Sequence, residues 1–168
     1  MNSDGSCRGN SNGGRGVVRD SLSKCIMTFI LPLGEETNNT VEIKAFLFAL
    51  KWCIENGHNM IVTETDSLLL KNCISENWSM PWNIRETIKD IKLFIHGNNV
   101  IIEHCFREAN KATDKLASLS HCTDTVKVIN NTSSLPRHVK GLLNMDRWQF
   151  PSFRVRRRKL GVIYFDPP

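Results

Sequence analysis

Four acidic side chains stand where predicted strands end or predicted helices begin. They are Asp4, Glu42, Asp66 and Asp114. On an open α/β sheet, strand ends and helix starts gather at one edge, so these carboxylates can converge. Converging carboxylates repel one another unless a cation lies between them, and Mg²⁺ prefers such hard oxygen ligands. In two-metal sites, ions about 3.5–4 Å apart activate a water and stabilise the leaving oxygen of a phosphodiester. The pattern therefore indicates a magnesium site that takes a polyanion.

Each acid also has an ordinary structural explanation. Asp66 can cap the helix that follows it, and Asp4 can be a solvated charge on a flexible end. Glu42 and Asp114 can interact favourably with the positive N-terminal ends of their helices. A single acid of this kind does not indicate a site, whereas four in this order favour one.

The predicted elements position these acids. In chain order they are hairpin strands at 14–20 and 24–34, a helix within 35–58, a strand at 59–66, helices at 66–77 and 83–98, a strand at 99–106 and a helix at 111–122. The helix at 35–58 shows apolar residues three and four apart, and Asp66 or Ser67 is the expected N-cap of the next helix. A hairpin region followed by strand-helix alternation indicates an α/β fold, a mixed sheet with helices packed on it.

The strand that leads to Asp4 is short. Only Met1, Asn2 and Ser3 precede Asp4, which is about 10 Å of strand at about 3.3 Å per residue. A shortened central strand leaves backbone groups of its neighbours unpaired, so we expect reduced stability and weak support for Asp4. We expect the glycine-rich residues 9–14 to form the turn into the hairpin. Their amides can approach a phosphate there, although an ordinary flexible turn fits equally well.

Composition and charge divide the chain in two. Its 168 residues, 40% hydrophobic and 23% charged, predict one globular domain with an appendage. We place a domain at 1–125 and an irregular basic tail at 126–168, where nine Lys and Arg face two Asp, a net charge of +7. Residues 154–159, "RVRRRK", can contact phosphates, act as a nuclear import signal or remain a solvated basic run.

Targeting and redox features are sparse. No apolar run follows a basic start, and no segment approaches the roughly 18 apolar residues of a membrane span. Six scattered cysteines without a C-x-x-C pair favour reduced thiols over a zinc site or a disulfide scaffold. We expect an intracellular, non-secreted monomer of the nucleus or cytoplasm that does not associate with membranes.

Four segments together resemble a known family. "DGSCRGN", "TNNTVEIKA", "ETDS" and "REANKATDKLA", in this order and at these separations, resemble the type 1 ribonuclease H domain, in the short form that is abundant in plant genomes and linked there to retroelement reverse transcriptases. The likeness covers about residues 2–122. It implies a ribonuclease H-like five-stranded mixed sheet, with three antiparallel strands followed by parallel ones. It also implies Mg²⁺-dependent endonucleolytic hydrolysis of the RNA strand of an RNA/DNA hybrid.

The resemblance assigns a role to each acid. It implies two Mg²⁺ ions, which Mn²⁺ can replace, held by a catalytic quartet of Asp4, Glu42, Asp66 and Asp114. Asp4 and Asp66 would bind both ions. Glu42 would hold the ion on the leaving-group side, and Asp114 the ion near the attacking water.

The resemblance also implies residues beyond the quartet. Family members carry a mobile His or Arg between the last strand and the last helix, for which Arg107 is the better match and His104 the alternative. Asn38 and Asn39 resemble a loop that meets the minor groove of the hybrid, where 2′-hydroxyl groups distinguish RNA from DNA. The remaining candidate substrate-binding residues are Gly5, Ser6, Ser67 and Asn110.

Two other functions remain open from the sequence. The chain can be a catalytically weak or inactive nucleic-acid-binding remnant of a retroelement domain, since its first strand is short. It can also be a structural protein that binds a partner through Trp148, Phe150 and Phe153 of the basic tail.

Overall fold

The computed structural model describes residues 1–8, 11–105, 116, 125–130 and 132–148. Its strands are β1 (Asn2–Arg8), β2 (Ser11–Arg19), β3 (Cys25–Pro32), β4 (Met60–Thr65), β5 (Asn99–His104) and β6 (Lys127–Ile129). Its helices are α1 (Asn38–Glu55), α2 (Leu68–Ile74), α3 (Arg85–His96) and α4 (Arg137–Arg147), with short 3-10 turns at Trp82–Ile84 and Thr132–Ser134.

All six strands join one mixed sheet in the order β5-β4-β1-β2-β3-β6. The pairs β1/β2 and β2/β3 are antiparallel, and β4 runs parallel to both β1 and β5. The hairpin between β2 and β3 closes at Asp20, whose Oδ1 accepts hydrogen bonds from the backbone N–H of Leu22 and of Lys24, both at 2.9 Å. The predicted α/β fold with a mixed sheet is confirmed.

The main core lies between the sheet and the helices α1, α2 and α3. Met27 and Phe29 of β3 are fully buried there, against Phe46 and Leu50 of α1. Ile88 and Ile91 of α3 close the same core. Each such side chain stabilises the fold by roughly 1.5–3 kcal/mol when it leaves water. The helical spacing of apolar residues in α1 therefore predicted its buried face correctly.

A second core lies on the other side of the sheet and includes residues that the sequence assigned to the tail. It joins Val17 and Cys25 of the β2–β3 hairpin to Leu116 and to three side chains near the C-terminus. Those three are Leu135, Val139 and Leu143.

The expectation of an irregular segment from residue 126 is therefore wrong for two stretches. Residues 127–129 pair antiparallel with β3 as a sixth strand, and residues 137–147 form α4. The apolar residues of both elements are few and stand among charged residues, so the local pattern did not predict them. The two elements form because they cover Val17 and the open edge of β3. The division of the chain into 1–125 and 126–168 stays a prediction.

The first strand also differs from expectation. Asp4 does not end β1 but is its third residue, and Gly5 and Ser6 continue the strand. Residues 11–14 of the expected turn lie in β2 instead. β1 pairs with β2 over its full length, from Asn2–Val17 to Arg8–Ser11, so β2 supports Asp4 from one side. On its other side, β1 pairs with β4 at Asn2–Glu64.

Two further properties of the described residues follow. None of their helices combines the length and apolar character needed to cross a membrane. The five cysteines among them are free thiols, as the sequence predicted.

Candidate functional site

Asp4 is held in a buried ion pair. In the β1/β2 register it lies directly opposite Arg15, and Nη2 of Arg15 donates to Oδ2 of Asp4 at 2.5 Å. The side chains of Arg15 and Asp4 are only 4% and 6% exposed. Hydrogen bonds between two ionised groups are shorter and about twice as strong as neutral ones. The carboxylate of Asp4 is therefore fixed in position, contrary to the alternative of a solvated charge.

Asp4 and Asp66 belong to neighbouring parts of the sheet, because β1 and β4 run parallel beside each other. Asn2 of β1 pairs with Glu64 of β4, and Asp4 and Asp66 each follow by two residues. Side chains two residues apart on a strand project from the same face, and neighbouring strands lie about 4.8 Å apart. Asp66 directly follows the last residue of β4. Asp4 within β1 and Asp66 just after β4 thus lie on neighbouring chain segments.

Asp66 lies between the end of β4 and the N-cap of α2. Ser67, rather than Asp66, caps α2, since its Oγ accepts from the backbone N–H of Leu70 at 3.3 Å. Asp66 is therefore not needed as a cap. Burial, followed by the carboxylates of Glu64 and Asp66, raises the pKa of the Cys105 thiol to about 11. The backbone N–H of Cys105 donates to the carbonyl of Thr65 at 2.9 Å. Asp66 therefore lies close to the end of β5.

Glu42 reaches the site through the start of α1. Thr37 caps this helix, and its Oγ1 accepts from the backbone N–H of Thr40 at 3.3 Å. Glu42 follows in the second turn, and a Cβ placed on Gly5 would lie 2.6 Å from its backbone nitrogen. Burial raises the pKa of the Cys7 thiol, with Glu42 and Glu36 raising it further. The α1 backbone therefore packs directly on β1, one residue from Asp4.

The remaining predicted catalytic residues divide between described and undescribed parts. His104 is the last residue of β5 and is half-buried. Asp114, Arg107 and Asn110 lie outside the described residues. Within residues 1–8, 11–105, 116, 125–130 and 132–148, no group of three or more His, Cys, Asp or Glu is close enough to hold a metal ion. A complete metal site is therefore not formed by the described acids alone.

The candidate substrate residues fall into two environments. Asn38 and Asn39 are exposed at the start of α1. Ser67 is buried beneath α2, Gly5 lies against α1, and Ser6 is half-buried within β1. The structure thus explains Gly5 and Ser67 by packing and capping, and their contact with substrate stays a prediction.

A polar groove lies beside the two exposed asparagines. Its volume is about 490 Å³. It is lined by Asn12, Glu35, Glu36, Thr37, Thr40, Trp82 and Asn83. Glu36 forms an ion pair with Lys44, and Asn83 Nδ2 donates to Thr40 Oγ1 at 3.3 Å. We call these seven residues the α1 groove. The exposed asparagines and this groove together make a polar surface next to Glu42.

Sequence reasoning missed Arg15 as a site residue. Its position between Gly14 and Gly16 was visible, but the residue opposite it depends on the strand register. A second arginine of β2 also interacts with a polar side chain of β1. Arg19 Nη1 donates to Asn2 Oδ1, and Asn2 Nδ2 donates to Glu64 Oε2, both at 2.6 Å. Two arginines of β2 therefore interact with polar groups of β1.

The acids fit magnesium in ligand type, because carboxylate oxygens are its preferred protein ligands. Arg15 holds Asp4 in position, and Ser67 rather than Asp66 is the N-cap of α2. Among the described residues, Arg15 does not fit, since it places a permanent positive charge beside the carboxylate of Asp4. The carboxylates thus match Mg²⁺ in ligand type, and Arg15 is a cation that competes with it at Asp4.

Comparison with solved structures places the fold. Ribonuclease H1 from the halophilic archaeon Halobacterium salinarum NRC-1 is 24% identical, with a TM-score of 0.64 over 68% of this chain and 90% of that one. The N-terminal ribonuclease H domain of a Mycobacterium tuberculosis protein is 22% identical, with a TM-score of 0.63 over 68% and 91%. LC11-RNase H1, isolated from compost by a metagenomic approach, was solved in complex with an RNA/DNA hybrid. It is 22% identical, with a TM-score of 0.62 over 68% and 90%.

The fold is thus that of the ribonuclease H-like class of domains, as the resemblance implied. The sequence profile of the reverse transcriptase-like family matches residues 2–120, and the chain belongs to that family. No curated protein sequence matches the chain significantly. At these identities the structural similarity establishes the fold, whereas activity has to be argued from the site.

Proposed function

We propose that this protein binds RNA/DNA hybrids and hydrolyses their RNA strand endonucleolytically. The observation that supports this proposal is the parallel pairing of β1 with β4 at Asn2–Glu64, two residues before Asp4 and Asp66, together with the packing of the Glu42 backbone against Gly5. The hybrid bound to LC11-RNase H1, a domain of the same fold, supports the choice of substrate. Sequence identity to that domain is low, so the substrate class is the part of the proposal that most needs a test.

The proposed metal ligands are the predicted quartet. Asp4, Glu42, Asp66 and Asp114 would hold two Mg²⁺ ions, for which Mn²⁺ can substitute. Such ions, when bound, supply an activated water and stabilise the leaving oxygen of a phosphodiester. Asp4 lies within β1 and is held by Arg15, and Glu42 lies within α1; a metal site requires such rigid support at about the half-ångström level. Arg107 or His104 is the proposed group for proton transfer or product release.

The proposed substrate surface begins at the start of α1. Asn38 and Asn39 are exposed there, and amide side chains can both donate and accept hydrogen bonds. The minor groove of a hybrid displays 2′-hydroxyl groups that need both. The α1 groove beside them offers the Thr37 hydroxyl, the Asn83 amide and the largely exposed ring of Trp82. A nucleic-acid backbone can follow this surface toward Glu42.

Cleavage of a labelled RNA/DNA hybrid tests the proposal. We would incubate the full chain with the hybrid in Mg²⁺, in Mn²⁺ and in EDTA, beside duplex DNA and duplex RNA of the same sequence. Asp66→Asn removes one proposed ligand. Asp90→Asn is the matched control, because Asp90 is an exposed acid on α3 outside the site. Circular dichroism and urea unfolding would verify that both variants are folded.

We expect metal-dependent cleavage of the RNA strand that is lost in Asp66→Asn and retained in Asp90→Asn. A folded wild-type protein that leaves the hybrid intact in both metals would overturn the enzymatic part of the proposal. A protein that neither cleaves nor binds the hybrid would overturn the proposal as a whole.

One observation favours a second candidate function. The buried pair of Asp4 with Arg15 opposes a divalent ion at a proposed ligand, since like charges near one carboxylate repel. A protein with this feature can bind nucleic acid with little or no turnover. Binding of the hybrid without cleavage by the wild-type protein, in either metal, would select this function over the first.

A further inference from the structure

Arg15 and Asp4 form the most buried ion pair among the described residues. The pair spans β1 and β2 at directly opposed positions, with an Nη2 to Oδ2 distance of 2.5 Å. Val17 lies two residues further along the same face of β2 and is fully buried in the second core. The side chain of Arg15 is itself only 4% exposed, so the guanidinium lies within the fold beside Asp4.

The charge of Arg15 cannot be removed by a change of pH. The guanidinium group stays protonated in proteins, so it differs from a lysine or a histidine at the same place. A carboxylate that is engaged by such a group offers less negative charge to a second cation. The proposed Mg²⁺ ligand Asp4 therefore has a cation of the protein's own already beside it.

We propose that Arg15 is a built-in counter-cation of Asp4 that competes with divalent metal ions for this carboxylate. Arg15 then lowers the metal affinity of the site, because its positive charge offsets part of the negative charge that the Asp4 carboxylate offers to a metal ion. Arg15 is a positioning residue in this scheme, because it acts through Asp4. The inference rests on the proposed function in one respect, namely that Asp4 is a metal ligand.

The test is a direct measurement of metal binding on the full chain, by Mn²⁺ titration followed with electron paramagnetic resonance and calorimetry. Arg15→Met removes the charge and keeps an unbranched stem of similar bulk. Arg19→Met is the matched control, because Arg19 is an arginine of the same strand that donates to the Asn2 side chain. Asp4→Asn would be combined with Arg15→Met to locate any change in affinity.

We expect Arg15→Met to bind Mn²⁺ at least about tenfold more tightly than the wild-type protein, which corresponds to about 1.4 kcal/mol. Arg19→Met should leave the affinity unchanged. The gain should vanish in the double variant that also carries Asp4→Asn. A merely structural role of Arg15 would lower stability without raising metal affinity, so this readout separates the two roles.

Equal Mn²⁺ affinity of the wild-type protein and a folded Arg15→Met variant would overturn the proposal. If Arg15→Met does not fold, Arg15→Gln replaces it, and equal affinity in that variant has the same consequence. Hybrid cleavage is measured separately. Tighter Mn²⁺ binding without cleavage upholds the role of Arg15 and rejects the proposed activity, whereas cleavage with unchanged Mn²⁺ affinity does the reverse.

Discussion

Gly5 of β1 lies so close to Glu42 of α1 that a Cβ on Gly5 would be 2.6 Å from the Glu42 backbone nitrogen. The same Cβ would lie 2.9 Å from the backbone carbon of Val41. Backbone atoms cannot rotate away as a side chain can, so any larger residue at position 5 must shift α1 or β1. The glycine thus sets the distance between two elements that carry candidate catalytic acids.

Gly5→Ala should therefore destabilise the protein by about 1–3 kcal/mol, the usual effect of overpacking, and weaken any hybrid cleavage. Urea unfolding and the cleavage assay measure the two effects. Gly141→Ala is the control, because a Cβ there meets nothing within 4 Å. In α4 that change should be neutral or stabilising by up to about 1 kcal/mol, since alanine favours helices over glycine. Equal stability of Gly5→Ala and the wild-type protein would contradict the tight approach.

Asp4→Asn should destabilise the fold by about 3–5 kcal/mol, because it removes one partner of a buried ion pair. Adding Arg15→Met should recover most of that loss in urea unfolding. Glu86→Gln serves as control, since its pair with Lys89 is exposed and typically contributes about 0–1 kcal/mol. If repulsion among the acids dominated instead, Asp4→Asn would be at least as stable as the wild-type protein.

Leu143→Ala should cost about 2–5 kcal/mol, because Leu143 of α4 is buried in the second core. Met145→Ala on the same helix should change stability by less than about 0.5 kcal/mol, since Met145 is 45% exposed. The free energy of unfolding of both variants can be read from urea denaturation. Equal effects of the two substitutions would show that α4 does not contribute to the core.

Stability should fall as pH rises from 9 toward 11. Burial raises the pKa of the Cys53 thiol from its ordinary 9.0 to about 11. Between these values the unfolded chain loses a proton that the folded protein keeps, so the free energy of unfolding decreases with pH. Below pH 9 both states are protonated and Cys53 adds no pH dependence.

Urea midpoints at pH 8, 9 and 10 measure this effect. Cys53→Ala should be less stable at every pH because it leaves a cavity in the main core, where Cys53 of α1 is buried. Its urea midpoint should depend less on pH over this range. An equally steep decline in the variant would assign the effect to other groups.

Local features of the sequence determined the class of fold and most of its elements. The apolar spacing in α1 and the alternation in the β2–β3 hairpin depend on residues a few positions apart, so they could be recognised without the structure. The same holds for the order of the acids, since each lies within a short motif. The end of β1, the start of β2 and the elements at 127–129 and 137–147 were predicted wrongly because glycine and charged residues weaken the local signals there.

Only the tertiary structure determined what surrounds Asp4, Glu42 and Asp66. Arg15 is eleven residues from Asp4 in sequence, and their contact exists because the register of two strands places them opposite each other. A shift of that register by one residue would send Arg15 to the other face of the sheet. The sequence by itself thus determined which acids the protein has and in what order. The pairing of strands decided that one of them is held by a buried arginine.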